Sequence, residues 1–222
     1  MLKRCLAFLT LLACAGAPQA QMRWVEGTHY IRIPTQPIST PGKVEVLDVF
    51  SYACPACNAF QPTLDKLVKS LPAGAQMAYL PASFNPREDW VVFQQAFLTA
   101  QALGVAEKSH DAMYDAVWGK RTLATFDASG HPLPEEQMPK IEDVAKFYTA
   151  YGVKPDQFLA TAKSFDINTK MRKADADLEA HQVLSTPTLI VAGKYRVTPQ
   201  TAGGYEQTIE LVQFLVNKEK SG

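Results

Sequence analysis

The sequence VEVLDVFSYACPAC, residues 44–57, joins an apolar segment to two closely spaced cysteines. β-branched and other apolar residues dominate residues 44–50, which predicts a buried strand. Apolar residues then recur every three or four positions over residues 55–70, which predicts an amphipathic helix. Cys54 and Cys57 therefore lie where a strand passes into a helix.

The C-x-x-C spacing of these two cysteines has a chemical meaning. On the first turn of a helix it brings the two sulfur atoms close enough for a disulfide. Cys54 falls at the predicted N-cap, where free backbone N–H groups and the helix dipole stabilise a thiolate. Pro55 suits the first helical position. We therefore predict redox chemistry, with Cys54 as the nucleophile and the less exposed Cys57 as the resolving thiol.

A static disulfide and half of a zinc site are the alternatives for this pair. A four-cysteine zinc site needs a second C-x-x-C, and the sequence has none. The four histidines have no i, i+3 or i, i+4 spacing, so we interpret each as a surface or packing residue: His29, His110, His131 and His181. No metal and no cofactor is predicted, and the static disulfide stays open at this point.

The N-terminus has the pattern of an export signal. Lys3 and Arg4 precede an apolar run over residues 5–15, which is too short to span a bilayer. Cleavage after Ala20 is one interpretation, which makes residues 1–20 a signal peptide. The sequence LLAC, residues 11–14, also resembles a lipoprotein box, in which residues 1–13 are removed and Cys14 is lipidated. On either interpretation the chain is exported.

Composition narrows the class of protein. Of 222 residues, 47% are hydrophobic and 20% charged, which suits a chain with a packed core rather than a disordered one. The formal net charge of +0 argues against a nucleic-acid partner.

A long helical pattern separates two segments that contain strands. A short strand over residues 29–33 and a strand–helix–strand unit over residues 44–81 come first. A hairpin over residues 188–197 and a helix over residues 203–217 come last. Between them, residues 85–184 show mostly helical spacing. This order predicts an α/β protein with a thioredoxin fold and an inserted all-helical domain.

We expect the thioredoxin-like domain to comprise residues 26–84 and 185–218, and the inserted helical domain to comprise residues 85–184. About one hundred residues are too many for a loop and enough for a small core of their own.

At this point two segments resemble a known family, the DsbA-type periplasmic thiol oxidases of the thioredoxin superfamily. FSYACPAC, residues 50–57, is similar to their active-site segment. STPT, residues 185–188, followed by VAGKY, residues 191–195, is similar to their cis-proline loop and final hairpin. The resemblance covers residues 26–217. It implies an enzyme, a protein disulfide oxidoreductase that introduces disulfide bonds into exported proteins.

The resemblance implies roles for three further residues. Pro187 would be cis and face the cysteine pair, and the backbone of Thr186 would pair with an extended substrate peptide. Asp48 would be a buried acid that exchanges a proton with Cys57. Strand alternation places Asp48 in an apolar row, which supports burial, although a solvated acid at the strand end is the alternative.

The resemblance also implies partners and a location. The substrates would be unfolded exported proteins bearing thiols, the reoxidant a membrane protein of the DsbB type, and the location the periplasm. A monomer is expected, because only about 20 residues separate the leader from the strand at residue 44, too few for the dimerisation domain of periplasmic isomerases. A disulfide isomerase or reductase of the same superfamily and a non-redox peptide-binding holdase are the alternative functions.

One residue departs from the pattern of the family. Many members carry histidine as the second residue between the cysteines, where this chain has Ala56. A histidinium there would stabilise the Cys54 thiolate, and alanine cannot. We therefore expect a weaker oxidant than the members that carry histidine.

Overall fold

The computed structural model describes residues 23–34, 39–40, 43–85 and 88–221. The predicted leader, including Cys14 and the cleavage position after Ala20, lies outside the described residues. Signal cleavage and lipidation therefore both stay predictions.

The described residues form one mixed sheet flanked by helices. The strands are β1 (Ile31–Arg32), β2 (Ser39–Thr40), β3 (Lys43–Phe50), β4 (Ala75–Pro81), β5 (Thr188–Val191) and β6 (Tyr195–Val197). The helices are α1 (Pro55–Ser70), α2 (Trp90–Ala102), α3 (Ala106–Tyr114), α4 (Ile141–Phe147), α5 (Pro155–Ala162), α6 (Phe165–Ala180), α7 (Pro199–Ala202) and α8 (Tyr205–Ser221). A π-helical segment, Asp115–Gly119, continues α3, and 3₁₀ turns cover Glu135–Gln137 and Tyr148–Tyr151.

Strand β3 lies at the centre of the sheet. It pairs in parallel with β4, from Val44 opposite Ala75 to Phe50 opposite Pro81, and α1 supplies the crossover that a parallel pair requires. On its other side β3 pairs antiparallel with β5, and β5, β6 and β1 follow in antiparallel order. This arrangement brings the end of β3, where the cysteine motif begins, beside the start of β5.

The two faces of β3 pack into different parts of the core. Val46 belongs to a cluster that includes buried residues of α1 and α8, whereas Leu47 and Val49 belong to a cluster that includes the helices between β4 and β5. Because side chains alternate along a strand, Asp48 shares the face of Val46. Helix α1 covers that face.

The chain between β4 and β5 is helical, from α2 to α6. Apolar residues recur at helical spacing from residue 90 to residue 117. The structure nevertheless has two helices there, α2 and α3, because Gly104 adopts a positive φ of 70° between them. The division into a thioredoxin-like and a helical domain at residues 84/85 and 184/185 stays a proposal. None of the described helices is both long and apolar enough to cross a membrane.

Candidate active site

The first cysteine of the motif caps the helix that carries the second. Strand β3 ends at Phe50, and α1 begins with Pro55 in its first turn. Cys54 has the extended backbone of an N-cap, with φ −82° and ψ 117°, and its Sγ accepts a hydrogen bond from the backbone N–H of Cys57 at 3.3 Å. At most helix N-caps a side-chain oxygen accepts from the free N–H groups of the first turn. Here the sulfur of Cys54 takes that place, so the position favours a thiolate.

The two thiols differ strongly in acidity. Hydrogen bonding from the Cys57 side chain is the largest effect that lowers the pKa of Cys54 to about 6. Burial opposes it, and the Thr186 side chain and the backbone N–H groups of Cys57 and Ala56 assist it. Burial raises the pKa of the Cys57 thiol well above its usual range, and the neighbouring Cys54 raises it further. Both are free thiols here, so at neutral pH the reduced pair holds its negative charge on Cys54.

The loop before β5 brings a second backbone element to Cys54. The Thr186–Pro187 peptide bond is cis. The Cys54 thiol donates to the carbonyl oxygen of Thr186 at 3.7 Å, across 132 positions of sequence. Leu184, just before this loop, is 85% exposed. A backbone carbonyl group therefore lies beside the Cys54 sulfur, and an exposed apolar side chain lies two positions before Thr186 in the sequence. An extended peptide can pair with an exposed backbone edge of this kind.

Asp48 lies in the sheet beneath the motif. It is 1% exposed, it sits between Tyr79 of β4 and Leu189 of β5, and its Oδ1 has no hydrogen-bond partner among the described residues. Burial raises the pKa of this carboxyl to about 8, with a further contribution from Cys54. A carboxyl group of this kind is neutral or ionised according to small changes near neutral pH, which suits proton exchange.

A cluster of aromatic residues lies around His110, close to the cysteine motif. The ring of the buried His110, on α3, lies with its centroid 4.8–6.1 Å from those of five neighbouring rings: Phe50, Tyr52, Tyr79, Phe97 and Tyr114. Its Nδ1 is 3.0 Å from the hydroxyl of Tyr52. Burial lowers the pKa of His110 to about 4, so the ring is neutral near pH 7.

Tyr114 of this cluster and Trp118, four residues later, hydrogen-bond to the loop just before Cys54. The Trp118 Nε1–H donates to the carbonyl oxygen of Tyr52 at 2.8 Å, and the Tyr114 hydroxyl donates to that of Ser51 at 3.4 Å. These residues were not identified from sequence. Their i, i+4 spacing on a predicted helix was the available signal, but it indicates a shared helix face and does not reveal the partner.

The structure brings together four of the residues singled out from sequence, namely Cys54, Cys57, Thr186 and Pro187, with Asp48 beneath them. Within the described ranges, no group of three His, Cys, Asp or Glu side chains could hold a metal ion.

Comparison with known proteins places this site in a family. A family model described as thioredoxin matches residues 39–211. The thiol:disulfide interchange protein DsbA of Pseudomonas aeruginosa is 36% identical over 217 residues, which cover 97% of this chain and 95% of that protein. The chain belongs to the DsbA family. The DsbA of Azotobacter vinelandii is 35% identical over 198 residues, which cover 88% of this chain and 84% of the relative.

Solved structures of DsbA proteins agree with the fold. The crystal structure of Pseudomonas aeruginosa DsbA matches with a TM-score of 0.73 at 35% identity, over 89% of this chain and 95% of that one. The DsbA of Xylella fastidiosa matches with a TM-score of 0.75 at 31% identity, over 87% and 96%. The predicted family, the thioredoxin-type fold class and the class of thiol:disulfide oxidoreductase are thereby confirmed.

Proposed function

We propose that the protein is a dithiol oxidase that uses a Cys54–Cys57 disulfide to oxidise pairs of thiols in exported proteins. The observation that carries this proposal is the difference in acidity between the two cysteines. Cys54 has a pKa of about 6, so the reduced pair is stabilised as a thiolate. Stabilising the reduced form makes the disulfide a stronger oxidant.

The reaction takes place in two exchanges. A substrate thiolate attacks Sγ of Cys54, a mixed disulfide forms, and Cys57 leaves and takes up a proton. The second substrate thiolate then attacks the substrate sulfur of the mixed disulfide and expels Cys54 as a thiolate. Two electrons pass from the substrate to the cysteine pair, and the low pKa of Cys54 makes it a good leaving group.

Three neighbouring residues assist in this proposal. The backbone of Thr186, beside the cis Pro187, pairs with the extended substrate and holds it against Cys54, since the Thr186 carbonyl oxygen lies 3.7 Å from Sγ. Asp48, buried beneath the pair, supplies and removes the proton of Cys57. The exposed Leu184 gives an apolar contact that does not depend on substrate sequence.

The partners and the location form part of the proposal. Unfolded exported proteins are the substrates, and a membrane protein of the DsbB type reoxidises the pair. The protein acts in the periplasm as a monomer, with its N-terminus either cleaved after Ala20 or lipidated at Cys14.

Two serine variants test the roles of the cysteines. Cys54→Ser removes the attacked sulfur, so oxidation of a reduced two-cysteine peptide should fall to the uncatalysed rate. The matched variant Cys57→Ser keeps Cys54 but cannot form the active-site disulfide. Mixed with the oxidised form of the same peptide, its Cys54 thiolate should attack the peptide disulfide and accumulate as a mixed disulfide, because no second protein thiol is present to release the peptide. Mass spectrometry of acid-quenched reactions distinguishes the two. Retention of oxidase activity by Cys54→Ser, or efficient repair of scrambled disulfides by the wild-type protein, would contradict the proposal.

A further inference from the structure

The loop between β3 and α1 accepts hydrogen bonds from side chains of the helical segment between β4 and β5. Tyr52 is buried, and its carbonyl oxygen accepts from the Trp118 Nε1–H at 2.8 Å. The carbonyl oxygen of Ser51 accepts from the Tyr114 hydroxyl at 3.4 Å and from the backbone N–H of Cys54 at 3.1 Å. Two consecutive carbonyl groups before the reactive cysteine are thus fixed by side chains more than sixty positions away.

The segment that supplies these donors has an uncommon backbone. Helix α3 ends at Tyr114 and continues as π-helix over Asp115–Gly119, where the Lys120 N–H donates to the Asp115 carbonyl oxygen at 2.7 Å. Such wide turns are rare and occur often at functional sites. Here the wide turn carries Trp118, whose ring stacks on Phe126 with centroids 5.5 Å apart.

We infer that Trp118 and Tyr114 are positioning residues that set the acidity of Cys54 by fixing the backbone of Ser51 and Tyr52. The N-cap role of Cys54 depends on its backbone angles, because only in that conformation does Sγ face the Cys57 N–H at 3.3 Å. The φ angle of Cys54 depends on the orientation of the Ala53–Cys54 peptide group, and the N–H of that group donates to the Ser51 carbonyl oxygen at 3.1 Å. A buried carbonyl that loses its donor is costly and turns toward another partner. Such a turn rotates the Ser51–Tyr52 or Tyr52–Ala53 peptide group and so shifts the short loop that leads into Cys54.

The consequence for the reaction is specific. A misaligned cap leaves the Cys54 thiolate with a weaker hydrogen bond, so a smaller fraction is ionised at neutral pH. The disulfide then becomes a weaker oxidant, because the reduced form has lost stabilisation. Neither residue touches the reacting sulfur atoms in this inference, which rests on the proposed role of Cys54 as the attacked cysteine.

The variant Trp118→Phe tests the inference in the full-length mature protein. It keeps an aromatic ring against Phe126 but removes the N–H donor to Tyr52. The ultraviolet absorbance of the thiolate, followed against pH, should show the acid dissociation constant of Cys54 reduced about tenfold. Equilibration with glutathione buffers should show the reduction potential lowered by about 30 mV, which is the same tenfold for a two-electron couple.

The matched control is Phe126→Leu, which removes the stacking partner of Trp118 but keeps its N–H donor. It should leave the acidity of Cys54 within a factor of two of wild type. An equal change in both variants, or no change in a Trp118→Phe protein that still unfolds cooperatively, overturns the inference. If Trp118→Phe does not fold, Tyr114→Phe decides: a smaller loss of acidity supports the inference, and an unchanged value overturns it.

Failure of this inference is distinct from failure of the proposed function. The former is measured as the acidity of a thiol in a protein with both cysteines intact. The latter is measured as activity in the Cys54→Ser variant.

Discussion

Asp48 in the sheet and His110 in the helical region are both buried next to the cysteine motif, and burial acts on them in opposite directions. The pKa of Asp48 rises to about 8, and that of His110 falls to about 4. In both cases removal from water disfavours the charged form. Each also has one polar atom without a hydrogen-bond partner among the described residues, Asp48 Oδ1 and His110 Nε2.

The difference between these two groups lies in what they can do near neutral pH. Asp48 can lose its proton near pH 8, and its charge interacts with both cysteines. His110 stays neutral well below neutral pH and serves as a hydrogen-bond partner for Tyr52 within a ring cluster. The same physical effect therefore produces a group suited to proton transfer on one side of the motif and a fixed packing element on the other.

The largest effect that we expect is the change in the free energy of unfolding with pH that the buried Asp48 causes. Below about pH 4 the carboxyl is protonated in the folded and unfolded states, so its full contribution to stability is present there. As pH rises to 8 the unfolded state ionises first, and the free energy of unfolding of the reduced protein should fall by about 5 kcal/mol. Asp48→Asn should remove this loss, as measured by denaturant unfolding at several pH values under reducing conditions.

Asp65→Asn, on the exposed side of α1, is the matched control for the Asp48 variant. Since Asp48 is proposed to remove the proton of Cys57, Asp48→Asn should also slow the attack of Cys57 on a mixed disulfide, which is the reverse of the first exchange, about a hundredfold near pH 7. Parallel stability curves for wild type and Asp48→Asn would show that Asp48 is not the titrating group.

The next largest effect is caused by the buried His110. It should lower the free energy of unfolding as pH falls, whereas Asp48 lowers it as pH rises. Above pH 6.5 the ring is neutral in both states. As pH falls from 6.5 to 4 the unfolded state takes up the proton first, so this group should remove about 3 kcal/mol from the free energy of unfolding by pH 4. His110→Gln keeps a hydrogen-bonding group for Tyr52 but does not titrate, so its stability should approach or exceed that of wild type toward pH 4.

The exposed His131 provides the control, as His131→Gln, in the same acid titration of stability. If the His110→Gln and wild-type curves keep a constant separation between pH 7 and pH 4, the histidine is not held neutral by burial, and the contrast with Asp48 fails.

The smallest expected effect comes from placing an imidazole where water can reach it. Ala56 lies between the cysteines and is partly exposed, so Ala56→His can carry a charge that His110 cannot. A histidinium beside the thiolate should increase the acid dissociation constant of Cys54 about tenfold, equivalent to about 1.4 kcal/mol, and make the disulfide more oxidising.

Ala56→Gln, which is polar but uncharged, is the control for the Ala56→His variant. Thiolate absorbance and glutathione equilibration measure both variants. Equal potentials for the two would show that charge at this position has no effect on the pair, and the expectation that Ala56 makes a weaker oxidant would then lose its basis.

Much of the fold could be predicted, because its signals are local. Strand β3, helix α1 and the hairpin of β5 and β6 were predicted nearly to the residue, since alternation, helical spacing and Gly193 in the turn are properties of short segments. The gap between α2 and α3 was missed, because apolar spacing runs across Gly104. The short helix α7 was also missed, as four residues give too short a pattern to detect.

The sequence alone determined the chemistry of this protein: a cysteine at a helix N-cap, its partner one turn later, and a Thr-Pro loop that resembles a known family. These depend on covalent order and on the backbone of a single turn. The tertiary structure decided how those groups behave. Packing between distant segments places the Thr186 carbonyl near Cys54, buries Asp48 and brings Trp118 to the Tyr52 carbonyl. Burial and long-range contacts set pKa values, and no local pattern encodes them.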